Sequence, residues 1–496
     1  MTIGRGGKQQ IAVVVYPGLS PLELVGTVSV LSGLGISTGF QTVTVGHSRA
    51  PVDTNTPVKV IPESTFAEVP HPFALLVPGG GLNTIRAMGD DALLGYVRAA
   101  AERAEFVASV GTGSLILAST GLLQGRRATT HWAYRRILEN LGATYDPRRW
   151  VEDGRFVTSG GTSGGIDMAL HLVAKHTTER SARHVQLWIE YDPQPPFGPL
   201  TASERDEDAL TPLLTQHQAE WQTALGHRPD LLQAVQRALT PAAHVGRTPT
   251  DGQGAADEQQ QKTIAFVLYP GLTAFDLVGP LQVIAQLAAT HPAVQPVVVG
   301  ERIVPMDTDA GVQLVPNKTF AEVPHPYAVV VPGGTGPTFA AMSNAAVRRY
   351  VRTAAETAGI AGSVCTGALI LAAVGLLEGR QATTHWAASR ALESLGATYQ
   401  RQRWVEDGKF IMSAGVSAGI DMGLYLAARL TDEASARQVQ LWLDYDPQPP
   451  FGRLNYDDMG FRFRLARLAG PLMAPLLTAR PKRLTRQERA AGARVA

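Results

Sequence analysis

Cysteine is almost absent from this sequence of 496 residues, which contains one, Cys365. A single thiol excludes an internal disulfide and any zinc site built from several cysteines. An excess of charge of one sign is also absent, because 44 Lys and Arg balance 43 Asp and Glu and leave a formal net charge of +1. Such a chain has no field that would attract nucleic acid or an anionic membrane, so we expect neither as a partner.

Long apolar runs are missing from the N-terminus. The residues MTIGRGGKQQ lead directly into the strand-like IAVVVY, without an apolar stretch of signal-peptide or transmembrane length behind a basic region. We therefore expect a cytoplasmic location. At the other end, a basic run extends from Arg480 to Arg494. Runs of this kind are most often solvated, and the pattern predicts a poorly ordered tail.

What the sequence does contain is a long internal repeat. EVPHPFALLVPGG at 68–80 returns as EVPHPYAVVVPGG at 322–334, and YDPQPPFG at 191–198 returns unchanged at 445–452, in both cases 254 positions later. This period is far longer than that of a solenoid repeat and matches a whole domain. The sequence is a tandem duplication.

The repeat predicts four parts. A first copy spans 9–198 and a second copy spans 262–452. Between them, 199–261 is predicted to be a helical extension that ends in a linker at 240–261, because the latter has Pro, Gly, Ala and Gln without a hydrophobic period. Residues 453–496 form a C-terminal extension with the basic tail.

Strand-like and helix-like patterns alternate within each copy. In the second, the apolar runs TIAFVLY, YAVVV and IAGSV are separated by segments with helical spacing such as DLVGPLQVIAQLAA. Near-continuous apolar strands that alternate with helices favour a mostly parallel sheet covered by helices on both faces. The predicted fold class is therefore α/β, with two tandem flavodoxin-like domains. Ligands in such sheets bind at the carboxyl ends of the strands.

Cys365 lies where the predicted strand IAGSV meets the helix TGALILAAVG. Nucleophile elbows use this strand-turn-helix position. The helix N-terminus is expected to lower the pKa of the thiol, and the N–H of Thr366 could stabilise developing negative charge. The alternative is a buried cysteine that packs as a small apolar residue.

Two further features could share a site with Cys365. Gly333 and Gly334 end another strand, and glycines allow close approach of a ligand to free backbone N–H groups; the alternative is a plain turn. Asp276 begins the helix after the first strand, where a carboxylate is either an N-cap or a general acid and base.

The first copy differs from the second at two of these positions. Its equivalents of Asp276, Cys365 and Thr366 are Glu23, Gly111 and Thr112. The acid and the glycine loop persist while the nucleophile is glycine. This copy is expected to fold but to form no covalent intermediate.

These motifs resemble the ThiJ/PfpI superfamily, whose members have a class I glutamine-amidotransferase-like fold with a cysteine on an elbow. YPGLTAFDLVGP, VPGG, SVCTGALILAAVGLLEGRQATTHW, SAGVSAGIDMGLYLA and QLWLDYDPQPPFG look like the isonitrile hydratase branch, and equally like the sensor domain of AraC-type regulators. The first resemblance implies catalytic Asp276, Cys365 and Thr366, with Gly333 and Gly334 near the reacting atoms. It implies a small-molecule substrate and no metal or organic cofactor.

The resemblance leaves three functions open. These are isonitrile hydration, another cysteine-dependent reaction such as that of the glyoxalase-like members, and ligand sensing without catalysis. The protease branch has histidine where this chain has Thr366, which argues against peptidase activity. His385 is interpreted as structural, because His131 survives in the copy without cysteine. Many members are homodimers, so the two halves are expected to form an intramolecular pseudo-dimer, with further self-association possible.

Overall fold

The structure, a computed structural model, describes residues 9–38, 40–205, 208–239, 261–454 and 461–492. The predicted linker at 240–261 lies outside the described residues except for its last position. Each copy forms one seven-stranded sheet. The strands of the first copy are β1 Gln9–Val14, β2 Phe40–Gly46, β3 Val52–Asp53, β4 Lys59–Ile61, β5 Ser64–Thr65, β6 Ala74–Val77, β7 Phe106–Val110, β8 Arg127–Ala128, β9 Thr144–Tyr145, β10 Trp150–Asp153 and β11 Phe156–Ser159. Those of the second are β12 Lys262–Val267, β13 Val294–Gly300, β14 Gln313–Val315, β15 Lys318–Thr319, β16 Ala328–Val331, β17 Ile360–Val364, β18 Gln381–Ala382, β19 Thr398–Tyr399, β20 Trp404–Asp407 and β21 Phe410–Ser413.

The helices also repeat from copy to copy. The first copy has α1 Pro21–Thr38, α2 Leu82–Ala87, α3 Asp91–Arg103, α4 Gly113–Ser119, α5 Arg135–Asn140, α6 Thr162–His176 and α7 Glu179–Trp188. The extension after it has α8 Leu210–Gln216, α9 Gln218–Leu225 and α10 Pro229–Ala238. The second copy has α11 Ala274–Ala288, α12 Thr335–Ala341, α13 Ala345–Thr357, α14 Gly367–Ala373, α15 Ser389–Ser394, α16 Ala418–Leu430 and α17 Glu433–Trp442, and α18 Phe461–Gly492 follows.

The two sheets have the same topology. Their strand orders are β10-β11-β7-β6-β1-β2-β5 and β20-β21-β17-β16-β12-β13-β15. Neighbouring strands are parallel except the edge hairpins β10–β11 and β20–β21. The central strands β6, β7, β16 and β17 are buried along their whole length, which their continuous apolar sequence requires. The predicted fold class is confirmed.

The two halves contact each other along three features. Helix α1 packs against α11, and Ser20 Oγ donates to Gln282 Oε1 across this contact at 3.1 Å. Strand β14 of the second copy pairs antiparallel with β4 of the first. Third, the residues after α7 and α17, 189–198 and 443–452, each bond to the opposite half, and we call them the crossing segments.

The crossing segments make equivalent contacts in both directions. Gln194 N donates to Asp421 Oδ2 at 3.0 Å, and its counterpart Gln448 N donates to Asp167 Oδ2 at 3.1 Å. Asp167 and Asp421 are fully buried and pair with Arg149 and Arg403 of their own halves. Each YDPQPPFG motif thus follows one half in the sequence but makes its contacts with the other half.

The C-terminal basic run is not a poorly ordered tail in its described part, so that prediction is wrong. It lies in α18, which packs against α14 and α15. The reason is a buried cation in the second copy: Arg348, 2% exposed, donates to both carboxylate oxygens of Glu488 at 2.9 and 2.6 Å. Thr478 is also buried and accepts from Ser394 Oγ at 2.9 Å.

None of the helices in the described part of the chain combines the length and apolar character of a membrane span.

Candidate active site

Cys365 occupies a strained elbow between β17 and α14. Its φ is +57°, and among the described residues the other non-glycine positions with positive φ are Glu190 and Asp444. The turn is tight enough that a Cβ on Gly367 would lie 2.0 Å from Val331 O of the adjacent strand. Because Gly367 has no side chain, the elbow can pack closely against β16. Since a left-handed backbone is costly for cysteine, the surrounding sheet must hold it.

Asp276 reaches the same place from the first turn of α11. It is fully buried, and its Oδ2 accepts from Gly333 N at 3.1 Å. Its Oδ1 has no hydrogen-bond partner of good geometry among the described residues. The Asp276 carboxyl lies close enough to the Cys365 thiol for the two groups to shift each other's pKa. The predicted acid and nucleophile are thus brought together, with one carboxyl oxygen left for chemistry.

The electrostatics of this pair differ from the sequence prediction. Burial raises the pKa of the Cys365 thiol well above its usual range, and the carboxylates of Asp276 and Glu190 raise it further, while the Thr366 N–H acts in the opposite direction. The expected lowering by the helix N-terminus is therefore wrong, because α14 has only seven residues and cannot offset desolvation beside two acids. Burial and the nearby Asp309 carboxylate likewise raise the pKa of Asp276. Both shifts favour the protonated, neutral forms of the two groups.

Asp309 was not predicted from the sequence. It accepts from Ala274 N at 3.0 Å, at the start of the helix that carries Asp276, and burial raises its own pKa. Its counterpart in the first copy is Asn55. The segments DTN at 53–55 and DTD at 307–309 match except at this position, and that difference could have pointed to Asp309.

Thr366, Gly333 and Gly334 form the support of the site. Thr366 Oγ1 accepts from Gly334 N at 3.0 Å and lies 2.8 Å from Thr338 Oγ1. A Cβ on Gly333 would lie 2.5 Å from Thr366 Oγ1. The N–H groups of Gly333 and Gly334, predicted to be free for a ligand, instead donate to Asp276 and Thr366. The catalytic role that the resemblance implies for Thr366 stays a prediction.

Glu190 enters this site from the other half, on a crossing segment. Its Oε1 accepts from Trp386 N at 3.1 Å. A Cβ on Gly415 would lie 2.0 Å from Glu190 Oε2, so a glycine there makes room for the incoming carboxylate. Sequence reasoning missed this residue. The signal was an acid at the same place before both YDPQPPFG motifs, Glu190 and Asp444.

His385 is held by the same crossing. Its Nε2 lies 3.1 Å from Trp188 O, and its Nδ1 accepts from Ala387 N at 3.3 Å. His131 makes the matching contact with Trp442 O at 3.1 Å. Both ring nitrogens are engaged in contacts that the two copies share, which fits the structural interpretation of this histidine.

The first copy keeps the frame of the site without the thiol. Gly111 has φ +52°, close to that of Cys365, and Thr112 holds the glycine loop through bonds from Gly80 N and Gly81 N, both at 3.1 Å. Glu23 Oε2 accepts from Gly79 N at 2.7 Å. A Cβ on Gly111 would lie 2.7 Å from Glu23 Oε1, so the longer acid fills the space that the nucleophile takes in the second copy.

Comparison with known proteins agrees with this geometry in both copies. The DJ-1/PfpI family matches residues 9–175 and 262–429, which together are more than half of the chain. The chain belongs to the DJ-1/PfpI family. The family domain occurs twice in the chain, with glycine at the elbow of the first copy and cysteine at the elbow of the second.

Two curated relatives represent different kinds of DJ-1/PfpI protein. An isonitrile hydratase of Pseudomonas putida is 42% identical over 188 residues, which are 38% of this chain and 80% of that protein. The HTH-type transcriptional regulator CdhR of Pseudomonas aeruginosa is 34% identical over 105 residues, 20% of this chain and 30% of that protein. Among solved structures, a ThiJ/PfpI family protein from Pseudomonas syringae is 33% identical, covers 50% of this chain and 99% of its own, and has a TM-score of 0.42.

Proposed function

We propose that the second copy is a cysteine-dependent hydratase that adds water to an isonitrile and releases an N-substituted formamide. The observation that carries this proposal is the buried Cys365 thiol beside the Asp276 carboxyl, whose Oδ1 has no partner of good geometry among the described residues. The similarity to an isonitrile hydratase supports the same reaction. An isonitrile carbon needs both a nucleophile and a proton, and this pair supplies both.

In the first half-reaction, the sulfur of Cys365 attacks the terminal carbon of R–N≡C. A C–S bond forms while Asp276 delivers its proton to the same carbon, and the thiol proton passes to the carboxylate that results. The product is the thioimidate R–N=CH–S–Cys365, and Asp276 is again protonated. A neutral resting pair suits this step, because no buried charge has to exist before substrate arrives.

In the second half-reaction, water adds to the thioimidate carbon. Asp276 gives its proton to the imine nitrogen and, as a carboxylate, accepts one from the water. Collapse of R–NH–CH(OH)–S–Cys365 breaks the C–S bond, while Asp276 gives the proton it took from water to the sulfur and accepts the hydroxyl proton in its place. The formamide R–NH–CHO leaves, and both protons of the resting site are restored. We propose that Thr366 and the Gly333–Gly334 loop position Asp276 and the elbow throughout.

The test is hydration of cyclohexyl isocyanide by the full chain, followed as formamide formation. Cys365→Ala is expected to abolish turnover, and Asp276→Asn to lower kcat by about 10²–10⁴-fold, the range for loss of a general acid. The matched control is Glu23→Gln, which changes the equivalent acid of the first copy and is expected to retain most activity. Turnover by Cys365→Ala would overturn the mechanism.

The second candidate is a non-catalytic small-molecule sensor, which the similarity to the regulator CdhR favours. A thiol that fails to react with a maleimide probe, together with no isonitrile turnover, would support this function over the first. Rapid reaction with the probe but no isonitrile turnover would direct the search to glyoxals and other electrophiles.

We further propose that the two halves act as an intramolecular pseudo-dimer. The crossing segments support this, because each acidic residue, Glu190 or Asp444, reaches the site of the opposite half. Size-exclusion chromatography with light scattering tests it. A species of 52.9 kDa is the expected result, and a larger species means that the chain associates further.

A further inference from the structure

A polar cavity of about 230 Å³ lies beside the degenerate site of the first copy. Thr130 lines it and donates to Gly111 O at 3.2 Å, which places the cavity next to the position that lacks the thiol. It is smaller than the ~300–1,000 Å³ typical of sites for drug-sized ligands, so its occupant is small. Both halves and the helical extension contribute to its walls, which include Arg148, Arg149, Arg205, Asp444 and Asp446.

The unpaired polar atoms in this wall are donors. Arg205 Nε and Arg149 Nη2 are buried and have no hydrogen-bond partner among the described residues. Arg205 Nη2 donates to Asp444 Oδ1 at 3.1 Å, and Arg149 Nε forms an ion pair with Asp167 Oδ2 at 2.8 Å. Buried donors of this kind require an acceptor, and an arginine fork is best matched by an oxyanion.

The acids of the same wall are already occupied. Asp444 Oδ1 accepts from Arg205, and Asp446 Oδ1 accepts from Leu200 N at 3.4 Å. Asp446 Oδ2 also lies 3.9 Å from Arg205 Nη2, so a second negative charge on a ligand would meet both aspartates. This favours a monocarboxylate over a dicarboxylate.

One of the arginines in this wall is not repeated in the second copy. Arg148 corresponds to Gln402, whereas Arg149 corresponds to Arg403. Arg205 lies in the extension, beyond the end of the repeat at 198. The guanidinium of Arg205 is therefore supplied by the extension that follows the first copy.

We propose that the first copy binds a small monocarboxylate in this cavity, held by Arg205 and Arg149. The site does not depend on the reaction at Cys365. It gives the degenerate half a ligand of its own, next to a crossing segment of the catalytic half.

Isothermal titration calorimetry on the full chain tests this with acetate, lactate and benzoate and with their uncharged amides as matched probes. At least one acid is expected to bind, and its amide about tenfold more weakly, because the amide forms no charge-assisted bond. Arg205→Met, which removes the guanidinium, is expected to weaken binding of the acid about tenfold as well. Arg390→Met removes an exposed arginine whose partner is Glu393, and it is expected to have no effect.

Cys365→Ala separates this cavity from the other copy and is expected to leave binding intact. Loss of binding in that variant would place the ligand in the second copy and overturn the proposal. So would equal affinity for acid and amide, undiminished binding by Arg205→Met, or no binding by any of the acids at millimolar concentration. If Arg205→Met fails to fold, the comparison of acid with amide on the unmodified chain decides the question.

Discussion

The first copy is expected to accept a nucleophile again, but only together with a shorter acid. Gly111→Cys alone places a Cβ 2.7 Å from Glu23 Oε1, well inside van der Waals contact. Glu23 cannot swing away freely, because its Oε2 holds Gly79 N at 2.7 Å in a buried site. Glu23→Asp removes one methylene and reproduces the Asp276–Cys365 pair of the second copy.

The expected magnitudes follow from packing. Overpacking of this kind lowers the free energy of unfolding by about 1–3 kcal/mol. A cysteine at φ +52° adds about 1–2 kcal/mol of backbone strain, but this strain is the same with either acid and cancels in a double-mutant cycle. Glu23→Asp alone leaves a methylene-sized gap, worth about 1 kcal/mol. The double variant is therefore expected to be more stable than the sum of the single effects by about 1–3 kcal/mol.

The assay is urea denaturation of the four proteins of the cycle in a Cys365→Ala background, so that residue 111 carries the one thiol. The same proteins are then treated with a maleimide to compare the accessibility of that thiol. Single effects that add within about 0.5 kcal/mol would refute the argument, since they would show that Glu23 and residue 111 do not compete for the same space.

Three further predictions concern charge. Burial raises the pKa of Glu23 to about 8, from an ordinary value of 4.5, so the native state holds a proton that the unfolded state loses. Stability is therefore expected to fall by up to ~5 kcal/mol as pH rises from about 5 to 8. Urea midpoints across this range are expected to decline for the natural chain and much less for Glu23→Gln, and equal slopes would contradict this. Glu190→Gln removes a carboxylate that raises the pKa of Cys365, so stopped-flow measurements are expected to show faster maleimide labelling at neutral pH, whereas Asp192→Asn on the same crossing segment leaves it unchanged. Glu488→Gln leaves the buried Arg348 without its carboxylate and is expected to lower the free energy of unfolding, measured by urea denaturation, by about 2–3 kcal/mol. The control Glu378→Gln breaks the exposed pair with Arg489 and is expected to lower it by at most about 1 kcal/mol. Similar losses in the two variants would show that the Arg348–Glu488 pair does not hold α18.

Much of the fold could be predicted because its signals are local. Continuous apolar runs define the buried parallel strands, and Asp407-Gly408 between two β-rich runs predicts the edge hairpin that β20 and β21 form. The elbow at Cys365 and the approach of Asp276 follow from the same logic. Cys365 comes directly after one strand, and Asp276 lies in the first turn of the helix that follows another strand of the same sheet.

The rest depends on contacts between distant parts of the chain. Glu190 acts in a site whose other residues are 86 or more positions away, and nothing in its local sequence says that the segment crosses to the other half. The helical C-terminus packs on the second copy through Glu488, which pairs with the buried Arg348. The local sequence around Arg348 is that of an ordinary helix and does not show that this arginine is buried. The direction of the thiol pKa was predicted wrongly because burial, the dominant cause, is a property of the packed site.

The crossing segments also affect how the duplicated gene can change. A redundant copy that loses its nucleophile would ordinarily be free to accumulate substitutions until it disappears. Here the copy without cysteine carries Glu190 into the site that has one, so deleting it would leave the surviving copy open and incomplete. Covalent fusion also fixes the stoichiometry: each nucleophile is matched with one glycine-bearing partner, which separately encoded subunits would achieve only as part of a statistical mixture.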